Sequence, residues 1–156
     1  MARKYGLKKR ERVYLRDELN QLFESRTSLF QFPFKLIYKD LPYEEGLPCK
    51  FMVSVPKRRH KTAVRRNLLK RRTREAFRLH SALLKATIQE QNLLRSTTSG
   101  QRPCTYLLGF IYLSDDVKSY AYIEKAMISL LTQLSNKLTQ VCEANHSTES
   151  AERSNV

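Results

Sequence analysis

The spacing of apolar residues changes several times along the chain, and each change predicts an element. Leu15, Leu19, Leu22 and Phe23 recur at i, i+4, i+7 and i+8, which lines one helix face and predicts a first helix over residues 16–25. After Thr27 and Ser28 the period falls to two. Phe30, Phe32, Phe34, Leu36 and Tyr38 alternate with Gln31, Pro33, Lys35, Ile37 and Lys39, as a strand with one buried face requires. Pro33 cannot donate a ladder hydrogen bond and places this strand at an edge or a bulge. Residues 41–48, with Gly46 and two prolines, predict a turn into a second strand, in which Phe51, Val53 and Val55 oppose Met52 and Ser54. From Thr62 the pattern is helical to about Leu84 and, after a break, to Leu94. A loop over residues 96–103 leads to a buried strand over residues 105–113. Ile123, Met127, Leu130, Leu131, Leu134 and Leu138 then return at helical spacing.

This order predicts an α+β sandwich of helices on a small sheet; the architecture expected is a mostly antiparallel four-stranded sheet packed with three helices (α-β-β-β-α-β-α) in two layers, one strand more than the alternation itself resolves. Residues 1–9 read as a basic arm, 10–141 as the domain, and 142–156 as a polar tail with too few apolar groups to offset its ordering entropy. Phe30, Phe32, Phe34, Tyr38, Tyr106, Phe110 and Tyr112 are assigned to the core. The longest apolar stretch falls far short of the roughly 20 residues a spanning helix needs, and no signal-peptide core follows the basic start. A soluble, cytoplasmic protein is expected. Cys49, Cys104 and Cys142 are widely spaced, form no CxxC pair and are expected to be reduced and mostly buried.

Charge then narrows the function. The 156 residues carry 29 Lys+Arg against 15 Asp+Glu, a net charge of +14. A surface so unbalanced repels itself unless a polyanion supplies counter-charge. Residues 57–78 hold eleven of these cations and one acid, Glu75, so ten of the fourteen net charges lie in 22 residues. At 100° per residue, Asn67, Lys70, Arg71, Arg74 and Arg78 share one arc of the helix, and Leu69, Thr73, Ala76 and Phe77 share the neighbouring arc. One arc can seat on the sheet while the other faces a phosphate backbone. Arg66 lies at the apolar margin, where it can support the fold as well as touch RNA. Arginine outnumbers lysine eight to three here, which favours bidentate phosphate contacts and stacking on bases. His60, His80 and His146 are scattered, Glu44-Glu45 and Asp115-Asp116 lack two-metal spacing, and no Gly-rich phosphate loop occurs. No catalytic residue is assigned to the chain, and metal ligation by it is left open.

The run from Arg58 to Arg78 closely resembles the signature of the bacterial ribonuclease P protein component: a basic pair after a strand, then Ala-Val-x-Arg-Asn-x-x-Lys-Arg-x-x-Arg-Glu-x-Phe, matched at each fixed position from Ala63 to Phe77. Upstream, Lys8-Lys9-Arg10-Glu11-Arg12-Val13, Leu19, Leu22, Phe23 and Thr27-Ser28 resemble that family's basic arm and first helix, and Phe34, Leu36 and Ile37 its first strand. Leu19 and Ile37 stand where the family usually or often has an aromatic, and Lys61 where a glycine is common.

The resemblance implies a ribosomal-protein-like fold with a left-handed crossover. It also implies a large catalytic RNA as partner, which with Mg²⁺ hydrolyses precursor tRNA at the mature 5′ end. Arg58, Arg59, Arg66, Asn67, Lys70, Arg71, Arg74 and Arg78 are then expected to bind RNA. Phe23, Lys35, Ile37, Met52 and Ser54 are expected to line a cleft for the single-stranded 5′ leader. Mg²⁺ is expected on the RNA, with no membrane and no further protein required. The alternatives are a ribosomal or other structural RNA-binding protein, which would need no leader cleft, and a helix-turn-helix DNA binder, disfavoured because no second short helix and tight turn precede the basic helix.

Overall fold

The computed structural model describes residues 8–42, 47–99 and 102–153, without the side chains of residues 98, 99 and 141–153. A short 3₁₀ turn, Lys9–Glu11, precedes α1 (Arg16–Glu24). Then come β1 (Ser28–Gln31), β2 (Phe34–Pro42), β3 (Cys49–Ser54), α2 (Ala63–His80), α3 (Ala82–Leu94), a π-helical turn Arg95–Ser99, β4 (Cys104–Tyr112) and α4 (Tyr120–Arg153). The strands form one sheet in the order β1-β2-β4-β3. β1 and β4 pair antiparallel with β2, while β3 pairs parallel with β4, so the α2–α3 segment is a crossover. The sheet is therefore mixed, and the described residues form four α-helices rather than three, because the long basic helix breaks at Ser81.

The expected first strand is a hairpin, folded back at Phe32-Pro33. This matters because the turn inverts the side-chain parity. Phe30 pairs with Lys35 and Gln31 with Phe34, so Phe30 shares the Lys35 face rather than that of Phe34, Leu36 and Tyr38. Phe30 is 62% exposed and Phe32 43%, which removes both from the core to which alternation assigned them. The backbone of α4 is helical to Arg153, through the segment read as a polar tail. No Gly or Pro interrupts residues 120–153.

The two sheet faces are covered unequally. Phe34, Leu36 and Tyr38 from β2, Phe51 from β3, and Leu108, Phe110 and Tyr112 from β4 form the main core with α2, α3 and α4. Cys49 and Cys104 are free and buried, and burial pushes the Cys49 thiol up to about 12. Cys142 lies outside the described side chains. On the opposite face α1 makes a smaller cluster, in which Leu22 meets Val13, Ile37 and Leu107. Gly109 allows this approach. A Cβ there would lie 2.9 Å from Leu22 Cδ2 and 3.0 Å from Ile37 Cγ1, closer than packed carbons tolerate.

A buried ion pair, Glu18 of α1 with Lys50 of β3, ties the same helix to the sheet. Both side chains are almost wholly removed from water, so either charge left alone is expensive. Glu18→Gln is expected to lower stability by about 3–5 kcal/mol, read by urea denaturation. Joining Glu18→Leu with Lys50→Met removes both charges and is expected to recover most of that loss.

Candidate nucleic-acid interface

α2 carries seven Lys or Arg and one acid, and only Leu69, Thr73, Ala76 and Phe77 of it are buried. These are the four residues of the predicted apolar arc. Phe77 stacks on Phe51 with centroids 4.4 Å apart and meets Phe110 edge-on, and Thr73 spends its hydroxyl on the Leu69 carbonyl at 2.7 Å. The stripe faces the sheet, so Asn67, Arg71 and Arg74 are exposed and Lys70 half-exposed on the remaining surface.

The other candidates divide by their contacts. Arg66 donates through Nη1 to the carbonyls of His60 (2.8 Å) and Lys61 (2.9 Å), closing the loop that enters α2. Arg59 pairs with Asp115 at 3.0 Å across to the β4–α4 loop, and Arg78 makes two bonds to Glu75. That contact draws the Glu75 carboxyl below its usual range, mainly through the hydrogen bond. Arg58 is exposed. His60, scattered in the sequence, is buried against Tyr112 with Nε2 2.7 Å from the Ser114 carbonyl, and so pins the same loop to the end of β4.

The segment before α1 adds charge. Val13 N–H donates to the Phe51 carbonyl at 3.0 Å and Arg12 bridges to Phe51, so residues 12 and 13 extend the sheet beyond β3. Glu11 reaches Lys85 of α3 at 3.6 Å. Partial burial, and after it the positive charge of Arg12, lowers the Arg74 pKa, so the segment before α1 contributes to the potential at α2. Such a potential is costly without an anion and is repaid by one.

On the α1 side of the sheet the register aligns Phe30, Lys35, Ile111 and Ser54 in one row, and Ile37, Gly109 and Met52 in the next. The expected cleft residues therefore share a face, but not equally. Ile37 is 6% exposed beneath α1 and is no open wall. Lys35 is exposed, Met52 and Ser54 are half-exposed, and Phe23 is 55% exposed on α1. Phe30, Ile111 and Gly109 were missed. The first could have been found had Pro33 been read as the corner of a hairpin. The other two are placed by pairing across the sheet. Among the described residues no group of three or more His, Cys, Asp or Glu could hold a metal ion, and no helix is long and apolar enough to cross a membrane.

Comparison with known proteins bears on this arrangement. The family model described as Ribonuclease P matches residues 7–101. Two curated relatives, each named ribonuclease P protein component and taken from two strains of Porphyromonas gingivalis, are 31% identical over 134 residues, covering 86% of this chain and 90% of each relative.

The contacts separate supporting arginines from exposed ones. Arg66→Ala, which strands two carbonyls, is expected to cost about 1–3 kcal/mol, and Arg71→Ala to stay within about 0.5 kcal/mol. Thermal unfolding of the two variants checks the difference.

Proposed function

The chain belongs to the ribonuclease P protein family and is a protein subunit in tRNA processing, and from that premise we propose how its two surfaces divide the work. The exposed face of α2, joined by Arg12, grips the ribonuclease P RNA. The open row of the sheet takes the unpaired 5′ leader of precursor tRNA. The observation that carries the reading is the juxtaposition itself: a predominantly cationic helix face and an open sheet row on one small domain, with aromatics on the row and on the neighbouring helix.

On α2, Asn67, Lys70, Arg71 and Arg74 supply phosphate contacts. Arg58, Arg59 and Arg78 extend them, the last two by exchanging exposed ion pairs of little worth for phosphates. Arg66 acts mainly by holding the loop. Along the sheet, Phe30 and Phe23 offer ring faces to unstacked bases and Lys35 offers an ammonium to the phosphate between them. Met52 and Ser54 form the floor, and Ile37 supports it from beneath α1.

Hydrolysis of the phosphodiester is assigned to the RNA and the Mg²⁺ it binds. Among the described residues no group of three or more His, Cys, Asp or Glu offers that ion a site on the protein. The protein lowers repulsion between two polyanions and positions the leader, in the cytoplasm and without a further protein. A purely structural RNA-packaging role would use α2 and leave the sheet row idle.

If about six phosphates are neutralised, the slope of log K against log salt for the ribonuclease P RNA is expected near −4 to −5. Arg71→Ala combined with Arg74→Ala should flatten it by about 1 to 2. Cleavage of precursor tRNA by bacterial ribonuclease P RNA at low Mg²⁺ is expected to accelerate when the protein is added, and unchanged cleavage would refute the proposal. Phe30→Ala and Phe23→Ala are each expected to weaken precursor tRNA binding about tenfold with mature tRNA binding unchanged. Equal losses on both RNAs would remove the leader assignment.

A further inference from the structure

A second aromatic surface lies on the other side of the hairpin. Phe32, in the β1–β2 turn, meets Tyr122, in the first turn of α4, edge to face, with centroids 6.3 Å apart and planes at 84°. Neither ring is enclosed, since Phe32 is 43% and Tyr122 42% exposed. Lys118 Nζ lies 5.1 Å from the Tyr122 centroid and 5.7 Å from that of Phe32. Two crossed rings, each partly open to solvent, thus share a half-buried cation that lies over a face of both.

The platform is held firmly. Ser129 Oγ and Gln133 Nε2 of α4 donate to Gln31 Oε1, tying the hairpin to the helix. The Lys118 N–H donates to the hydroxyl of buried Tyr112 at 3.1 Å, and Arg72 of α2 donates to the Lys118 carbonyl. Lys118 is thus clamped from both sides, and one clamp is a residue of the basic helix next to Arg71. The nearby acids do not cancel the site. Asp115 is paired with Arg59, and Asp116 stands 3.8 Å from Lys118 in an exposed contact of small worth.

We propose that Phe32, Tyr122 and Lys118 form a second RNA contact, in which an unpaired base of the RNA gripped by α2 stacks on a ring face while Lys118 meets the adjoining phosphate. The inference rests on RNA being the partner of α2. An aromatic pair with a lysine suits one nucleotide: the rings accept any base face and the ammonium takes the phosphate. A protein partner would be served as well by aliphatic residues and would gain little from the cation.

The chain has no tryptophan, so Tyr122→Trp introduces a single indole reporter. Titrating this full-length variant with bacterial ribonuclease P RNA is expected to quench the indole emission with the same midpoint as binding. Tyr122→Leu with Phe32→Leu is expected to weaken RNA binding about tenfold with the salt slope unchanged, because stacking releases no counterions. Arg71→Ala with Arg74→Ala, run in parallel, must flatten the slope. Loss of binding there with full affinity and no quenching at the platform would overturn this inference alone, and leave the patch to a protein partner. A wild-type chain that fails to bind the RNA would overturn both readings. Weaker binding that follows a fall in melting temperature, and recovers on cooling, would make the pair structural and overturn the platform.

Discussion

The stack of Phe77 on Phe51 bears most of what the rest requires. α2 carries seven cations and buries only four side chains, two of them small, against the sheet and α4. Phe77 supplies the area and Phe51 and Phe110 receive it, while Leu69 and Ala76 complete the stripe. Such a narrow stripe fixes the rotation of the helix about its own axis. Turning it by one residue, about 100°, would drive a guanidinium toward the main core, at a cost no surface contact could return. The outward direction of Arg71 and Arg74 is thus a consequence of apolar packing. The same constraint holds the entering loop, because the first turn of α2 can be displaced only by breaking the Arg66 bonds and the buried His60 contact.

How much of this could be read from the residues depended on the range of the interaction. Leu69, Thr73, Ala76 and Phe77 were identifiable from helical spacing alone, and the same geometry set Arg66 at the margin where the structure finds it bonded to loop carbonyls. The hairpin was not legible in that way. Period-two alternation runs unbroken through Phe30, Phe32 and Phe34, and a two-residue turn hides inside it while reversing which face Phe30 occupies. The break expected after about Leu84 falls at Ser81, where no glycine or proline marks its position. The β3–β4 pairing, and with it the row joining Lys35 to Ser54 through Ile111, joins segments more than fifty residues apart. No local pattern encodes it.

The open sheet row has a simple origin in length. α1 has nine residues, about 13 Å of helix, whereas β2 has nine residues extended over about 30 Å. A helix that short covers Ile37, Gly109 and Leu107 and leaves the Lys35 end bare. Gly109 and the Glu18–Lys50 pair then decide where along the strands that cover sits. Exposure of a mixed aromatic and cationic row is consequently stable.

The distribution of acids completes the electrostatic argument. Glu11, Glu75 and Asp115 each engage a flanking cation, Lys85, Arg78 and Arg59 in turn, around the margins of the basic surface. Within it Arg12 adds its positive charge to the field felt by Arg74. Flanking pairs restrain self-repulsion where it would loosen the loop and the helix end, and the surface between them stays predominantly positive. Potential of one sign over a convex helix face attracts a continuous phosphate track more strongly than any isolated anion, because each added phosphate meets another cation one turn along. Like charges gathered on one domain repel one another, and association with a polyanion relieves that repulsion.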